Sequence, residues 1–413
     1  MSKLFFKDSI EGININYDDL LNDLSTVNSY NKYCQTSSFY SVFKHIITSI
    51  ILGEEIILLD HDFSVDEVNK LIGDYSLISY GKSIETIGKI SFEQILEKIE
   101  VNKNSWKITL FTSGTTGLPK KISHTFNSLT RFIKTEKKRI ENVWGFAYNP
   151  THMAGLQVFF QGFLNHNTII RLFGVKRKTI FDLINEYGVT NISSTPTFYR
   201  MLLPIDHVCV KVTNLTSGGE KFDSKTLGDL KVIFPNSQIR NVYASTEAGA
   251  LFSSKGDDFT IKPEFLHLIK FIKNELFIHS SLLGSSDVIK LSNGWYQTGD
   301  LIEVINENPF KFKFISRINE MINTGGYKVN PTEVEESLRE INGITDAFVF
   351  GKKNSLLGNI VSSEVVSIDK SLTEKQIRQF LQLKLQEFKI PRIIKFVDKI
   401  NSTRTGKILR NIK

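Results

Sequence analysis

Lys107-Ile-Thr-Leu-Phe111 alternates in the manner of a strand and runs straight into Thr112-Ser-Gly-Thr-Thr-Gly-Leu-Pro-Lys120. The pair predicts a strand feeding a glycine-rich loop. Gly114 and Gly117 let backbone N–H groups approach oxyanions, the hydroxyls donate further hydrogen bonds, and Lys120 adds charge. The loop therefore suits phosphate. Its spacing, Gly114-x-x-Gly117-x-x-Lys120, is not that of a P-loop, and taken alone the segment also reads as a surface turn.

Helix and strand alternate further on. Thr179 to Tyr187 places Ile180, Leu183, Ile184 and Tyr187 on one helical face, and Gly188 then opens an extended run to Ser193. This argues for α/β layering. Arg240 to Ala244 and Glu275 to His279 read as further strands. At Asn330-Pro-Thr-Glu333, Asn can cap, Pro fits the first helical position and Glu333 can reach back, opening a helix with Val334, Leu338 and Ile341 on one face. The reading is a large multi-layer α/β domain over residues 1–316 and a small α+β unit over 317–413, joined by a tight hinge.

The 413 residues suffice for two or three cores, and 41% hydrophobic against 23% charged residues excludes a disordered chain. The net charge is +7, and from Arg317 to Lys413 there are 17 Lys/Arg against 11 Asp/Glu. The basic face belongs to one end and suits an acidic partner. No aromatic residues interleave along it as a nucleic-acid binder would want, so no nucleic-acid partner is expected. Cys34 and Cys209 lack CxxC spacing, which points to neither disulfides nor zinc and fits a reducing cytoplasm. Met1 to Asp8 has no long apolar core, and Ile46 to Leu59 carries Glu54 and Glu55, so neither a signal peptide nor a membrane span is expected.

Four other segments can carry chemistry. In Tyr243-Ala-Ser-Thr-Glu247, a carboxylate beside hydroxyls at a strand end can hold a hard cation such as Mg²⁺, although a solvated Glu has the same look. In Trp295-Tyr-Gln-Thr-Gly-Asp300, Asp300 can accept both hydroxyls of a ribose or close an Asx turn. Thr403-Arg-Thr-Gly-Lys407 presents a lysine from a polar loop, equally a solvated tail residue. His152 is open between a site residue and a satisfied core histidine. The run Lys134, Lys137, Lys138, Arg139 reads as a solvated helix face.

Taken in order, Thr112–Lys120, Tyr243–Glu247, Thr298-Gly-Asp300, Ser316-Arg-Ile-Asn-Glu-Met-Ile-Asn-Thr-Gly-Gly-Tyr-Lys-Val329 and Thr405-Gly-Lys407 resemble the motifs of the adenylate-forming superfamily of acyl- and aryl-CoA synthetases, adenylation domains and luciferases. The resemblance extends to Ile15–Leu20, to Pro150-Thr-His-Met-Ala-Gly155, to Ser217-Gly-Gly-Glu220 and to Lys389-Ile-Pro391, so it covers nearly the whole chain. It departs from the family in a shortened region before the glycine loop, in Asn319 where a hinge Asp is usual, and in Asn401 where a Pro is usual.

The resemblance implies an ATP-dependent, AMP-forming ligase whose small C-terminal domain is mobile. Lys407 would contact the substrate carboxylate and the phosphate-ester oxygen. Glu247 would hold Mg²⁺, and Thr246 with Thr112, Ser113, Gly114, Thr115, Thr116, Gly117 and Lys120 would hold the phosphates. Gly218, Gly219, Glu220 and Tyr243 would meet the adenine, and Asp300 with Arg317 would clasp the ribose. His152 would face the acid, and Gly326 would leave room for the thiol of coenzyme A. His152-Met-Ala-Gly-Leu156 is uncharged, which favours an apolar or aromatic carboxylic acid over an amino acid. An acyl carrier protein is the alternative acceptor, and a non-catalytic scaffold keeping the fold is the alternative function.

Overall fold

The strand Lys107–Thr112 lies between Ile56–Leu59, its parallel neighbour, and Lys120–Thr125, its antiparallel one. Ile108 and Leu110 are buried, and Thr112 faces Lys120 in the register. The glycine segment therefore connects two antiparallel neighbours, the second a return strand that the sequence did not announce. A computed structural model describes residues 2–112, 119–219, 223–354 and 357–401. Ser113 to Gly117, Glu220 and Lys407 lie outside the described residues, as does the side chain of Thr112.

With Tyr33–Gln35, these strands make a four-stranded sheet. Beside it stands an eight-stranded sheet in the order Gly249–Ser254, Gln238–Ser245, Asn214–Gly218, Asn191–Ser194, Val143–Phe146, Thr168–Arg171, Leu4–Asp8, Ile13–Asn16. Its inner pairings are parallel and its two edge pairings antiparallel. The helix Met153–Phe163 is apolar almost all round, as a helix buried between layers must be. Phe159, Phe160 and Phe163 pack with Phe5, Phe43 and Trp106 into one core. Each such side chain contributes about 1.5–3 kcal/mol on burial. Gly155 opens this helix against the loop before it, where a Cβ would stand 2.2 Å from the Asn149 carbonyl oxygen. Only glycine fits there.

A third, antiparallel sheet orders Asp258–Thr260, Phe310–Arg317, Trp295–Glu307, Glu275–His279 and Ile269–Ile272. The chain leaves it at Arg317 and enters a separate sheet at Ile322, where Ile322–Thr324, Tyr327–Val329, Ile344–Asn354, Gly358–Ser367 and Ile393–Phe396 carry the helices Pro331–Arg339 and Glu374–Gln382. This α+β unit has its own core of Val334, Leu338, Val361, Ile377 and Leu381. The protein is thus a large layered α/β domain with a smaller α+β domain after it. The two meet at a buried cluster of charges. Arg200 lies 3.0 Å from Asp346, Arg339 lies 4.0 Å from Asp223, and Lys225 donates to the carbonyls of Arg339 and Ile344.

Two local expectations need correction. Asn330 caps its helix through Thr332 N–H, but Glu333 does not reach back, because the Lys389 ammonium holds its carboxylate at 2.7 Å. The run Lys134 to Arg139 is no helix face but ends in a single 3₁₀ turn, with Lys138 and Arg139 both paired to Glu136. Cys34 and Cys209 are free, and burial raises both thiols, to about 12 and about 11. No helix among the described residues is long and apolar enough to cross a membrane.

Candidate active site

The strands Val143–Phe146, Asn191–Ser194, Asn214–Gly218 and Gln238–Ser245 run parallel, so their carboxyl ends open along one edge of the sheet, where α/β folds bind ligands. Two cavities share that edge.

The first cavity is walled by Asn241, Tyr243, Phe314 and Arg317 around Asp300. The strand register sets Asp300 opposite Arg317, and its carboxylate, 1% exposed, accepts from Arg317 Nε at 2.8 Å through Oδ1 and from the Tyr243 hydroxyl through Oδ2. A carboxylate has about four lone-pair sites, so each oxygen can accept once more. Asp300 is thereby oriented, with acceptor capacity to spare. Enclosure, then the adjacent Asp300 charge, raises the Tyr243 phenol well above its ordinary pKa and keeps it a donor.

The second cavity, about 230 Å³, lies along the helix Met153–Phe163. Phe132, Ile133, Trp144, Met153 and Val158 give it an apolar wall, and His152, Gly218, Gly219 and Thr246 stand in its lining. Gly219, Val242 and Ala244 belong to both cavities, which therefore adjoin. His152 lines this cavity and its ring is also satisfied within the fold. Its Nε2 stands 3.0 Å from both oxygens of Asp60, a buried carboxylate that also accepts from Thr151 Oγ1 and, at 3.3 Å, from Asn149.

Of the expected site residues, His152, Thr246, Gly218 and Gly219 meet around the second cavity and Tyr243, Asp300 and Arg317 around the first. Glu247 follows Thr246 and is half-buried, and Lys120 opens the return strand of the hairpin. Gly326 turns the hairpin between Ile322–Thr324 and Tyr327–Val329 at φ +86°, lines neither cavity, and would place a Cβ in open space. Asp60 went unread in the sequence. The available signal was a carboxylate directly after the all-buried strand Ile56–Leu59. His124, whose ring bonds the Thr246 carbonyl, alternates inward in Lys120–Thr125 and was also missed.

A sequence model of AMP-binding enzymes matches residues 83–265, and one of the AMP-binding enzyme C-terminal domain matches residues 333–407. The chain belongs to the adenylate-forming AMP-binding enzymes. Among curated members of this family, the 2-succinylbenzoate–CoA ligase of Staphylococcus aureus is 25% identical over 87% of this chain and 77% of its own length. The 4-hydroxybutyrate–CoA ligase 1 of Metallosphaera sedula is 26% identical over 73% of this chain, which spans only 61% of that relative. The AMP-binding fold is also that of the o-succinylbenzoate coenzyme A synthetase of Bacillus subtilis in complex with ATP and magnesium, with TM-score 0.71 and 18% identity over 99% of this chain and 96% of that one.

Magnesium keeps most of its waters and takes one or two carboxylates plus substrate phosphates, so an AMP-binding enzyme needs no protein cage for it. The donor set here fits. No cluster of three metal-ligating side chains exists among the described residues, and the Glu247 carboxylate, beside Thr246, has no hydrogen-bond or ion-pair partner among them.

Proposed function

We propose that this protein is an AMP-forming acid–thiol ligase, which activates a carboxylic acid with ATP as its acyl-adenylate and transfers the acyl group to coenzyme A. The observation that carries the reading is the junction of the two cavities at Gly219, Val242 and Ala244. A nucleotide in one would present its α-phosphate where an acid in the other presents its carboxylate.

In the first step a carboxylate oxygen attacks the α-phosphorus, the bond to the bridging oxygen breaks, and pyrophosphate leaves with the electron pair. Negative charge grows on the phosphoryl oxygens, and fixed donors lower that barrier most. Asp300, held by Arg317 and Tyr243, would accept the ribose hydroxyls, with Gly218 and Gly219 along the adenine. Thr246, Lys120 and the loop from Thr112 would line the phosphates, and Lys407 would bridge the carboxylate and the ester oxygen. Bound Mg²⁺ would neutralise phosphate charge, and Glu247 would hold it. In the second step the thiol sulfur, giving up its proton to solvent, attacks the acyl carbon, the acyl C–O bond to the phosphate breaks, and AMP departs with the electron pair. The small domain would turn about Asn319, withdrawing Lys407 and bringing Gly326 to the thiol.

The acid is best read as apolar or aromatic. No Asp, Glu, Lys or Arg stands among the described residues lining the second cavity, so none of these fixed charges there favours an ammonium or a second carboxylate. ATP–pyrophosphate exchange with a panel of aliphatic, aryl and amino acids tests this, and exchange with an apolar or aryl acid is expected. Binding of ATP without exchange for any acid would leave a scaffold that keeps the fold. The basic small domain favours a second acceptor, an acidic carrier protein, and thioester formation with coenzyme A and with holo-carrier distinguishes them.

A further inference from the structure

The turn after strand Gln238–Ser245 carries Thr246 and Glu247, and three successive backbone carbonyls of this turn are gripped by other parts of the chain. The Thr246 carbonyl lies 2.8 Å from His124 Nε2. The Glu247 carbonyl accepts from Gly284 N–H at 2.7 Å, and the Ala248 carbonyl from Arg131 Nη1 at 3.3 Å. Arg131 Nη2 reaches the Leu282 carbonyl at 3.1 Å, so one guanidinium ties the turn to the segment beside it.

The grips are interlocked. A carbonyl only accepts, so His124 Nε2 carries the proton. Nδ1 stands 3.1 Å from Ser128 Oγ, a hydroxyl that also has the Thr125 carbonyl in reach. Residue 284 has to be glycine, since a Cβ there would stand 2.6 Å from the His124 ring and 2.8 Å from the Ser123 carbonyl oxygen. Ser123 and Ser285 exchange both backbone hydrogen bonds, lacing the same segment to the return strand of the glycine hairpin.

We propose that His124 and Arg131 are positioning residues that fix the Thr246–Glu247–Ala248 backbone, and through it the Glu247 carboxylate, relative to the hairpin that carries the phosphate loop. The proposal rests on the ligase reading for what Glu247 does. The gain is preorganisation, because a carboxylate that meets a metal–phosphate complex without reorienting loses nothing at the moment of reaction.

The test is calorimetric titration of ATP with and without Mg²⁺, alongside pyrophosphate exchange, on proteins of matched circular dichroism. In His124→Leu the tightening of ATP binding by Mg²⁺ should shrink by about tenfold and kcat should fall by about 10 to 100-fold, with KM for the acid within about twofold. His124→Gln, whose amide nitrogen can reach the Thr246 carbonyl, should recover to within about threefold. Arg131→Met keeps the alkyl stem without the donors and should move both quantities the same way, which covers the case in which His124→Leu fails to fold. Folded His124→Leu or Arg131→Met with unchanged magnesium response overturns the proposal. So does equal loss in His124→Gln and His124→Leu, or a native protein whose ATP affinity ignores Mg²⁺. A native protein that binds MgATP but exchanges with no acid defeats the ligase reading instead, and the magnesium response still reads the clamp.

Discussion

His152 Nε2, at the start of the helix Met153–Phe163, is equidistant, at 3.0 Å, from the two carboxylate oxygens of Asp60, which lies 92 residues earlier, directly after the strand Ile56–Leu59. Two separately formed layers are thereby joined at the wall of the second cavity. A buried carboxylate with three side-chain donors around it fixes the imidazole ring, which on the proposed reading would face the incoming acid. Asp60→Asn turns an amide N–H₂ toward those donors. KM for the acid should rise by about 10 to 100-fold, the size of one charged hydrogen bond, with KM for ATP within about twofold. Equal changes in both constants would contradict a local role.

Lys407 is assigned to the first step alone. Lys407→Ala should lower pyrophosphate exchange by about 10²- to 10³-fold. Transfer from preformed acyl-adenylate to the thiol should be nearly spared. Equal losses in both half-reactions would contradict domain rotation about Asn319.

Acid should weaken the fold through His124. Burial, with Arg131 adding to it, lowers this imidazole from 6.5 to about 4, against opposing pulls from the Thr246 carbonyl and Glu247. Between those values the unfolded chain binds a proton that the folded one refuses, so stability falls as pH drops from 6.5 toward 4. Melting temperature measured across that window should fall more steeply for the native protein than for His124→Gln. Parallel slopes would contradict the assignment.

Asp223 neutralises Arg339 and Arg200 at the junction of the domains and caps the helix Ser224–Ile233 through Thr226 N–H. Removing one partner of a buried ionic cluster costs about 3–5 kcal/mol. Asp223→Asn keeps a capping oxygen but not the charge, so urea unfolding should show most of the loss of Asp223→Ala in Asp223→Asn as well. Near-native stability of Asp223→Asn would show that the cap, not the charge, matters.

The fold was legible wherever a residue's role is local. Gly188 adopts the left-handed conformation at φ +63° that ends the helix Arg177–Tyr187, Asn330 caps the helix it precedes, and Glu275–His279 forms a strand over the expected span. Tyr243 and Asp300 were singled out by the resemblance of their motifs alone, since the pairing between them spans 57 residues. Asp60 and His124 were not, because each acts on a partner far along the chain and spacing encodes no such pairing. Glu333 shows the same limit in reverse. Its local capping partner lost to Lys389, which only the tertiary fold brings near.

The central claim is that a carboxylate oxygen of the acid becomes bonded to the α-phosphorus of ATP. An acid labelled with ¹⁸O in its carboxylate, turned over with ATP and coenzyme A, tests it directly by mass spectrometry of the nucleotide products. One ¹⁸O should appear in AMP and none in pyrophosphate. Unlabelled AMP, or ADP together with labelled phosphate, would contradict the account.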